Sequence, residues 1–199
     1  MKKLLIATTN KAKLAEYKKY LSHLPIALIS LSDLNITSLP SEDGKSFQDI
    51  SFAKASFYYN LSALPTLSDD SGLEIDALNG APGIKSARWI NESPNDQDLI
   101  NYTLTKLKNI PPEKRTAQLK TVICLYLNNS KYFFSQASTQ GLIAQKPIKN
   151  FTPGFPYRAI LYLPQYKKYY EQLTLDQHDK INHRKIALEK ISKILLNEI

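Results

Sequence analysis

The stretch Thr66-Leu67-Ser68-Asp69-Asp70-Ser71-Gly72-Leu73-Glu74-Ile75-Asp76-Ala77-Leu78-Asn79-Gly80-Ala81-Pro82-Gly83 carries a structural and a chemical statement at once. Thr66 to Ser68 reads as a short strand that runs into Asp69-Asp70-Ser71-Gly72. Leu73 to Leu78 alternates again, and Asn79 to Gly83 is a sharp turn. Two adjacent carboxylates at a strand end repel one another unless a cation or an opposed lysine lies between them. Oxygen-only ligands suit magnesium, which uses one or two carboxylates and leaves the rest to water and phosphates. Gly72 either allows a sharp turn or lets another backbone approach closely. The plain alternative is a solvated acidic loop.

Upstream, Lys3 to Thr8 is a continuous apolar run and reads as a buried strand. Asn10 is a good N-cap for a helix on which Leu14, Tyr17 and Leu21 recur. A second strand is expected over Ile26 to Leu31, then a polar loop from Ser32 to Gly44. Ser46 caps another helix, with Phe47, Ile50, Lys54, Phe57 and Leu61 on one face. Downstream, a helix is expected over Asp96 to Leu107. Strands over Ala117 to Leu127 and Tyr132 to Thr139 meet at Asn128-Asn129, a hairpin signal. Lys146 to Tyr157 reads as a loop, and a last helix starts near Asn182. Strands and helices mix without a strict βαβ rhythm, repeat or linker. That predicts a single α/β domain over residues 1–199, a mixed sheet flanked by helices, with two lobes and a cleft between them.

The chain has 199 residues and a formal net charge of +8, and its acidic residues fall into two islands, Glu42-Asp43 and Asp69 to Asp76. A basic protein binds nucleic acid or small polyanions such as nucleotides, and solvated surface lysines explain such a charge equally well. The single cysteine, Cys124, excludes an internal disulfide and a multi-cysteine zinc site. The first apolar run stops at Thr8-Thr9-Asn10, so neither a secretory signal nor a membrane span is expected. A cytoplasmic protein is the expectation.

Thr8-Thr9-Asn10-Lys11-Ala12-Lys13 places two lysines in the first turn of a helix. Free N–H groups and the positive dipole end favour an anion there, and a phosphate would offset Lys11 and Lys13. Thr8, Thr9 and Asn10 add hydrogen-bonding groups. Lys54, on an apolar stripe, calls for a partner or snorkels at its edge. Asn182-His183-Arg184-Lys185 repeats the cation-rich helix start, with His183 and Arg184 as donors to a phosphate or a base carbonyl. Together these are the parts for binding a magnesium–triphosphate.

These residues resemble the inosine triphosphate pyrophosphatase family. The opening strand–loop–helix motif is similar to Ile6 to Glu16, and the next to Glu42-Asp43-Gly44-Lys45-Ser46-Phe47 with Lys54-Ala55. The central signature resembles Asp69 to Ile84 with Ser86-Ala87-Arg88, and the closing one His183-Arg184 with Ala187-Leu188. The resemblance implies hydrolysis of dITP, ITP and XTP to the monophosphate and pyrophosphate, cleansing the nucleotide pool. It further implies an elongated fold with a deep cleft, a homodimer, a magnesium cofactor, and neither nucleic acid nor membrane as partner. By the same resemblance, phosphates lie on Thr8 to Lys13 with Lys54 reaching in. Glu42, Asp69 and Asp70 are the metal carboxylates, Asp70 is the general base, and Ser71 touches substrate. Phe155, Tyr157, Arg158, His178, His183 and Arg184 complete the substrate-binding set, with Arg158 at the base-reading position.

The departures cluster around that last set, with two more at Ile50, where the family's second motif has an asparagine, and at Thr9, where a glycine often follows the first threonine. Gly154-Phe155-Pro156-Tyr157-Arg158-Ala159 puts Arg158 where the family has an aspartate, and His178 and Asn182 replace a lysine and a serine. Three other readings stand beside the first. Arg158 keeps two of them open: an enzyme of related architecture for other nucleotides, such as modified pyrimidine triphosphates, and a nucleotide-binding protein with altered base specificity or lost turnover. The third is an RNA-binding module, suggested by the basic charge and twelve tyrosines, although no basic–aromatic RNA motif is visible.

Overall fold

A computed structural model describes residues 2–198. The chain is α/β, with a seven-stranded mixed sheet in the order β2-β1-β3-β4-β5-β6-β7. The strands are β1 Lys2–Ile6, β2 Ile26–Ser30, β3 Thr66–Ile75, β4 Thr116–Asn128, β5 Lys131–Ile143, β6 Leu161–Leu163 and β7 Lys168–Tyr169. The helices are α1 Lys11–Leu21, α2 Phe47–Ser62, α3 Asp96–Lys106, α4 Leu175–Ile181 and α5 His183–Glu198. Strand β1 pairs in parallel with β2 and β3, whereas β6 is antiparallel to both β5 and β7. Leu4, Leu5 and Ile6 are all fully buried, as expected of a parallel strand covered on both faces.

Two compact units share these strands along the chain. The first comprises Met1–Asp70, Thr121–Ala137 and Arg184–Ile199; the second comprises Ser71–Lys120 and Ser138–His183. The first unit's largest core joins Leu4 and Ile6 of β1, Tyr17 and Leu21 of α1, Leu67 of β3 and the inner face of α5, Ala187, Leu188, Ile191 and Leu195. The second unit's core gathers Leu73 and Ile75 of β3, Leu99 and Ile100 of α3, and the segment Tyr157 to Leu163. Among the described residues, no helix is long and apolar enough to cross a membrane.

The structure corrects the sequence reading at several places. Thr66–Ile75 is one ten-residue strand, so Asp69 and Asp70 lie mid-strand rather than in a loop after a short one. The reason is burial: Asp69, Asp70, Gly72 and Leu73 are all buried, and buried backbone needs its ladder partners. The α2 stripe is displaced from the one expected. Phe47, Ile50, Ser51, Ala55 and Tyr58 face inward, while Leu61 is 52% exposed. β5 continues to Ile143, beyond the expected Thr139, and β6, β7 and α4 were not anticipated. The expected loop over Lys146 to Tyr157 ends in a 3-10 turn, Pro156–Ala159.

Candidate functional site

In the first unit, β3 delivers the acidic pair. Successive side chains of a strand point to opposite faces, and the contacts of Asp69 and Asp70 follow that rule. Asp69 shares its face with Leu67, against α1 and α5. Its Oδ2 accepts from Lys13 Nζ at 2.9 Å and from Arg184 Nη2 at 3.4 Å. Asp70 shares its face with Ser68, whose hydroxyl donates to the Ser51 carbonyl of α2. Lys54 of the same helix places its Nζ 3.3 Å from Asp70 Oδ1 and 2.5 Å from Glu42 Oε1. The adjacent carboxylates thus answer to different cations, and Lys54 stands between Glu42 and Asp70.

Their titration separates accordingly. Burial works to raise the Asp69 carboxyl, but the Lys13 ammonium and Arg184 guanidinium outweigh it and hold Asp69 far below the usual carboxylate range. For Asp70 burial wins. Lys54 and Lys13 oppose it, Asp69 and Glu42 add to it, and the carboxyl is pushed up to about 6. Asp70 Oδ2 is buried and accepts no hydrogen bond. Lys54 is displaced by the same cluster. Burial disfavours its ammonium, yet Asp70 and Glu42 carry its pKa above the ordinary value.

The helix start is built as its sequence suggests, with one difference. Asn10 caps α1 through its side-chain oxygen, which accepts from the backbone N–H groups of Ala12 and Lys13 at 2.9 and 3.0 Å. Its amide oxygen is therefore committed to the cap. Thr8 Oγ1 accepts from Asn10 N at 3.2 Å, while Thr9 and Lys11 are exposed. Lys13 turns inward to Asp69, and burial lowers its pKa despite that partner. Arg184 is the most deeply held of the candidate residues at 1% exposure. Its Nη1 donates to Glu16 Oε2 at 2.5 Å. Glu16 is a residue that sequence reasoning quoted without a role. Its spacing three after Lys13 on α1 places both on one helical face, and that was the available signal.

In the second unit, Ser71 is half-buried on β3 and the next residue explains a close approach. A Cβ at Gly72 would lie 2.3 Å from Ser86 Oγ and 2.4 Å from the Gly83 carbonyl. Of the two uses foreseen for Gly72, the structure shows the approach of another backbone. Ser86 Oγ also accepts from Leu73 N at 2.8 Å. Tyr157 is buried and its hydroxyl donates to the Ser86 carbonyl at 2.6 Å. It acts here as a strut.

Around it lies an aromatic and cationic group. The Arg158 guanidinium carbon is 3.7 Å from the centroid of the half-buried Phe155 ring and 5.1 Å from that of Tyr170. His178 and His183 meet Tyr170 edge-on at 5.2 and 6.3 Å. His183 is 4% exposed. Phe155, Arg158, His178 and His183 are thus brought together, and Tyr170 is the member that sequence reasoning missed. No motif singles it out among twelve tyrosines.

Among the described residues no group of three or more His, Cys, Asp or Glu side chains is poised for a metal. A pair of oxygen donors, Glu42 and Asp70, suits magnesium, which dehydrates reluctantly and keeps water and phosphate oxygens as its other ligands. The unbonded, buried Asp70 Oδ2 fits such a role.

Comparison with known proteins agrees with these motifs along the whole chain. A profile of the Ham1 family matches residues 4–194. A dITP/XTP pyrophosphatase of Wigglesworthia glossinidia brevipalpis is 39% identical, covering 100% of this chain and 99% of its own. One from Clostridium perfringens is 36% identical and covers 96% of each. The solved Ham1 protein of Coxiella burnetii superposes with a TM-score of 0.87 at 31% identity, over 99% of this chain and 100% of its own. That of Staphylococcus aureus does so with a TM-score of 0.85 at 30% identity, over all of both chains. With its motifs, its sheet and its length all accounted for in this way, the chain belongs to the Ham1 family.

Proposed function

We propose that this protein is a hydrolase that cleaves non-standard purine nucleoside triphosphates, dITP, ITP and XTP, to the monophosphate and pyrophosphate. The observation that carries the reading is the Glu42–Lys54–Asp70 cluster beside a carboxylate, Asp69, already neutralised by Lys13 and Arg184. Its relatives bear the names of dITP/XTP pyrophosphatases.

Glu42 and Asp70 would hold magnesium, which, when bound, neutralises charge on the phosphate oxygens. Lys13 and Lys54 place ammonium charge beside the same groups, and Thr8, Thr9 and Lys11 present donors to phosphate oxygens at the start of α1. Asp70 is the general base. A water oxygen bonds to the α-phosphorus, the bond from that phosphorus to the bridging oxygen breaks, and pyrophosphate departs. The water proton passes to Asp70. A carboxyl raised to about 6 is ionised at mildly alkaline pH and remains basic enough to take that proton. Asp69 is the fixed counter-charge for Lys13 and Arg184. Phe155 offers the base a stacking surface. From the motif resemblance we also propose a cytoplasmic homodimer acting on free nucleotides.

Asp70→Asn tests the assignment. It keeps shape while removing the basic oxygen, so kcat for dITP should fall by about 100- to 10,000-fold with a native circular-dichroism spectrum. Turnover at the wild-type rate would remove Asp70 from the mechanism.

A further inference from the structure

We propose that Lys54 is the resident cation of the Glu42–Asp70 pair and keeps magnesium off those carboxylates in the nucleotide-free protein. This rests on the pyrophosphatase reading and adds the order in which its site is filled: the metal enters with the nucleotide and not ahead of it.

Glu42, Lys54 and Asp70 all lie in the first unit. Helix α2 brings Lys54 up from within the fold. Ser51, three residues before it, is fully buried, and its carbonyl accepts from the Ser68 hydroxyl of β3 at 2.5 Å. Ala55, the next residue along, is fully buried too. The helix is thereby fixed against the strand that carries Asp70, and the Lys54 side chain is only 16% exposed. Its Nζ is 2.5 Å from Glu42 Oε1 and 3.3 Å from Asp70 Oδ1. One ammonium therefore serves two carboxylates, of which Asp70 is buried and Glu42 half-buried.

Magnesium bonds carboxylate oxygens at about 2.1 Å. Bound to either of these two oxygens, it lies within about 5 Å of Nζ. A dication and an ammonium so close repel strongly in a half-buried site. The pair in this arrangement holds one cation or the other. Moving the ammonium off it breaks two charge-assisted contacts. A triphosphate shifts that balance, because its oxygens accept from the ammonium and the flexible four-carbon stem lets Lys54 turn to them. By linkage, whatever draws Lys54 away raises the affinity of the carboxylates for magnesium.

The test is titration of nucleotide-free protein with magnesium alone, by isothermal calorimetry at one mildly alkaline pH. Wild type is compared with Lys54→Met, which keeps the apolar stem and removes the charge, and with Lys54→Arg, which keeps a cation. The dissociation constant for magnesium should be about 10- to 100-fold lower in Lys54→Met than in wild type, the worth of a hydrogen bond to a charged group. Lys54→Arg should bind magnesium no more tightly than wild type. Adding Glu42→Gln to Lys54→Met should abolish the gain. Equal affinity in wild type and Lys54→Met overturns the proposal. So does the same gain in Lys54→Arg, a gain that survives Glu42→Gln, or binding too weak to detect in wild type and Lys54→Met alike. If Lys54→Met does not fold, Lys54→Gln carries the same comparison.

Pyrophosphate release from dITP by wild-type protein judges the parent reading separately. Release without a gain in magnesium affinity leaves the pyrophosphatase standing and ends the inference. A gain without release, in folded protein, upholds Lys54 as the cation that excludes magnesium and sinks the pyrophosphatase reading.

Discussion

Asp69 and Asp70 are neighbours in sequence with opposite fates. Strand alternation sends one toward Lys13 and Arg184 and the other toward Lys54 and Glu42. Ionised Asp69 is held by two cations; ionised Asp70 costs the fold something. The folded value of about 6 lies above the ordinary 3.8, so the cost is absent below about pH 4. It develops as pH rises between those two values and is complete above the upper one. Asp70→Asn removes the ionisable group. In EDTA the variant should therefore match the wild-type Tm near pH 4 and exceed it near pH 8. A Tm difference that does not change with pH would show that Asp70 ionises in the fold as freely as in the unfolded chain. Arg158 shows the limit of reading residues singly. Its identity was visible as a change of acceptor for donor, whereas its stacking on Phe155 and proximity to Tyr170 required the structure.

At the scale of elements, β3 is the piece on which the site depends. It carries the acidic pair at its centre and continues through Gly72, where the backbone of Gly83 and the side chain of Ser86 come too close for any Cβ. Gly72→Ala must push that backbone aside and disturb the Ser86 Oγ bond to Leu73 N, at a cost of about 2–3 kcal/mol. Urea unfolding should show a lower midpoint with an unchanged slope, and an undisturbed midpoint would mean that the approach relaxes freely. Much of this architecture was legible. β1, α1 with its Asn10 cap, α2 with its Ser46 cap, α3 and the turn between β4 and β5 all have strong periodicity or capping signals. The break expected inside β3 was not there, because polar residues in a strand read as loop when the cations that neutralise them lie far along the chain. The α2 stripe was misplaced because Ser51 and Ala55 are small. Burial of Ser51 and Ala55 reflects close packing, which an apolar count does not register. α4 buries no residue and β6 and β7 span three and two residues, so neither produces a period to read.

For the whole molecule, the surplus of positive charge gains meaning from where the negative charge goes. The net charge is +8, yet Glu16, Glu42, Asp69 and Asp70 are all spent in one cluster with Lys13, Lys54 and Arg184. Carboxylates gathered among half-buried lysines in a basic chain support the proposed magnesium–triphosphate ligand. The candidate phosphate residues from Thr8 to Lys13, with Lys54 and the carboxylates, fall in the first unit. Phe155, Arg158, His178 and His183 fall in the second. The measurement that tests the central claim most directly is pyrophosphate release from dITP, ITP, XTP, ATP and GTP by wild-type protein with magnesium at mildly alkaline pH. Rapid release from dITP, ITP and XTP, with little from ATP, is the predicted result. Folded protein that releases pyrophosphate from none of them, or from ATP as fast as from ITP, would contradict it.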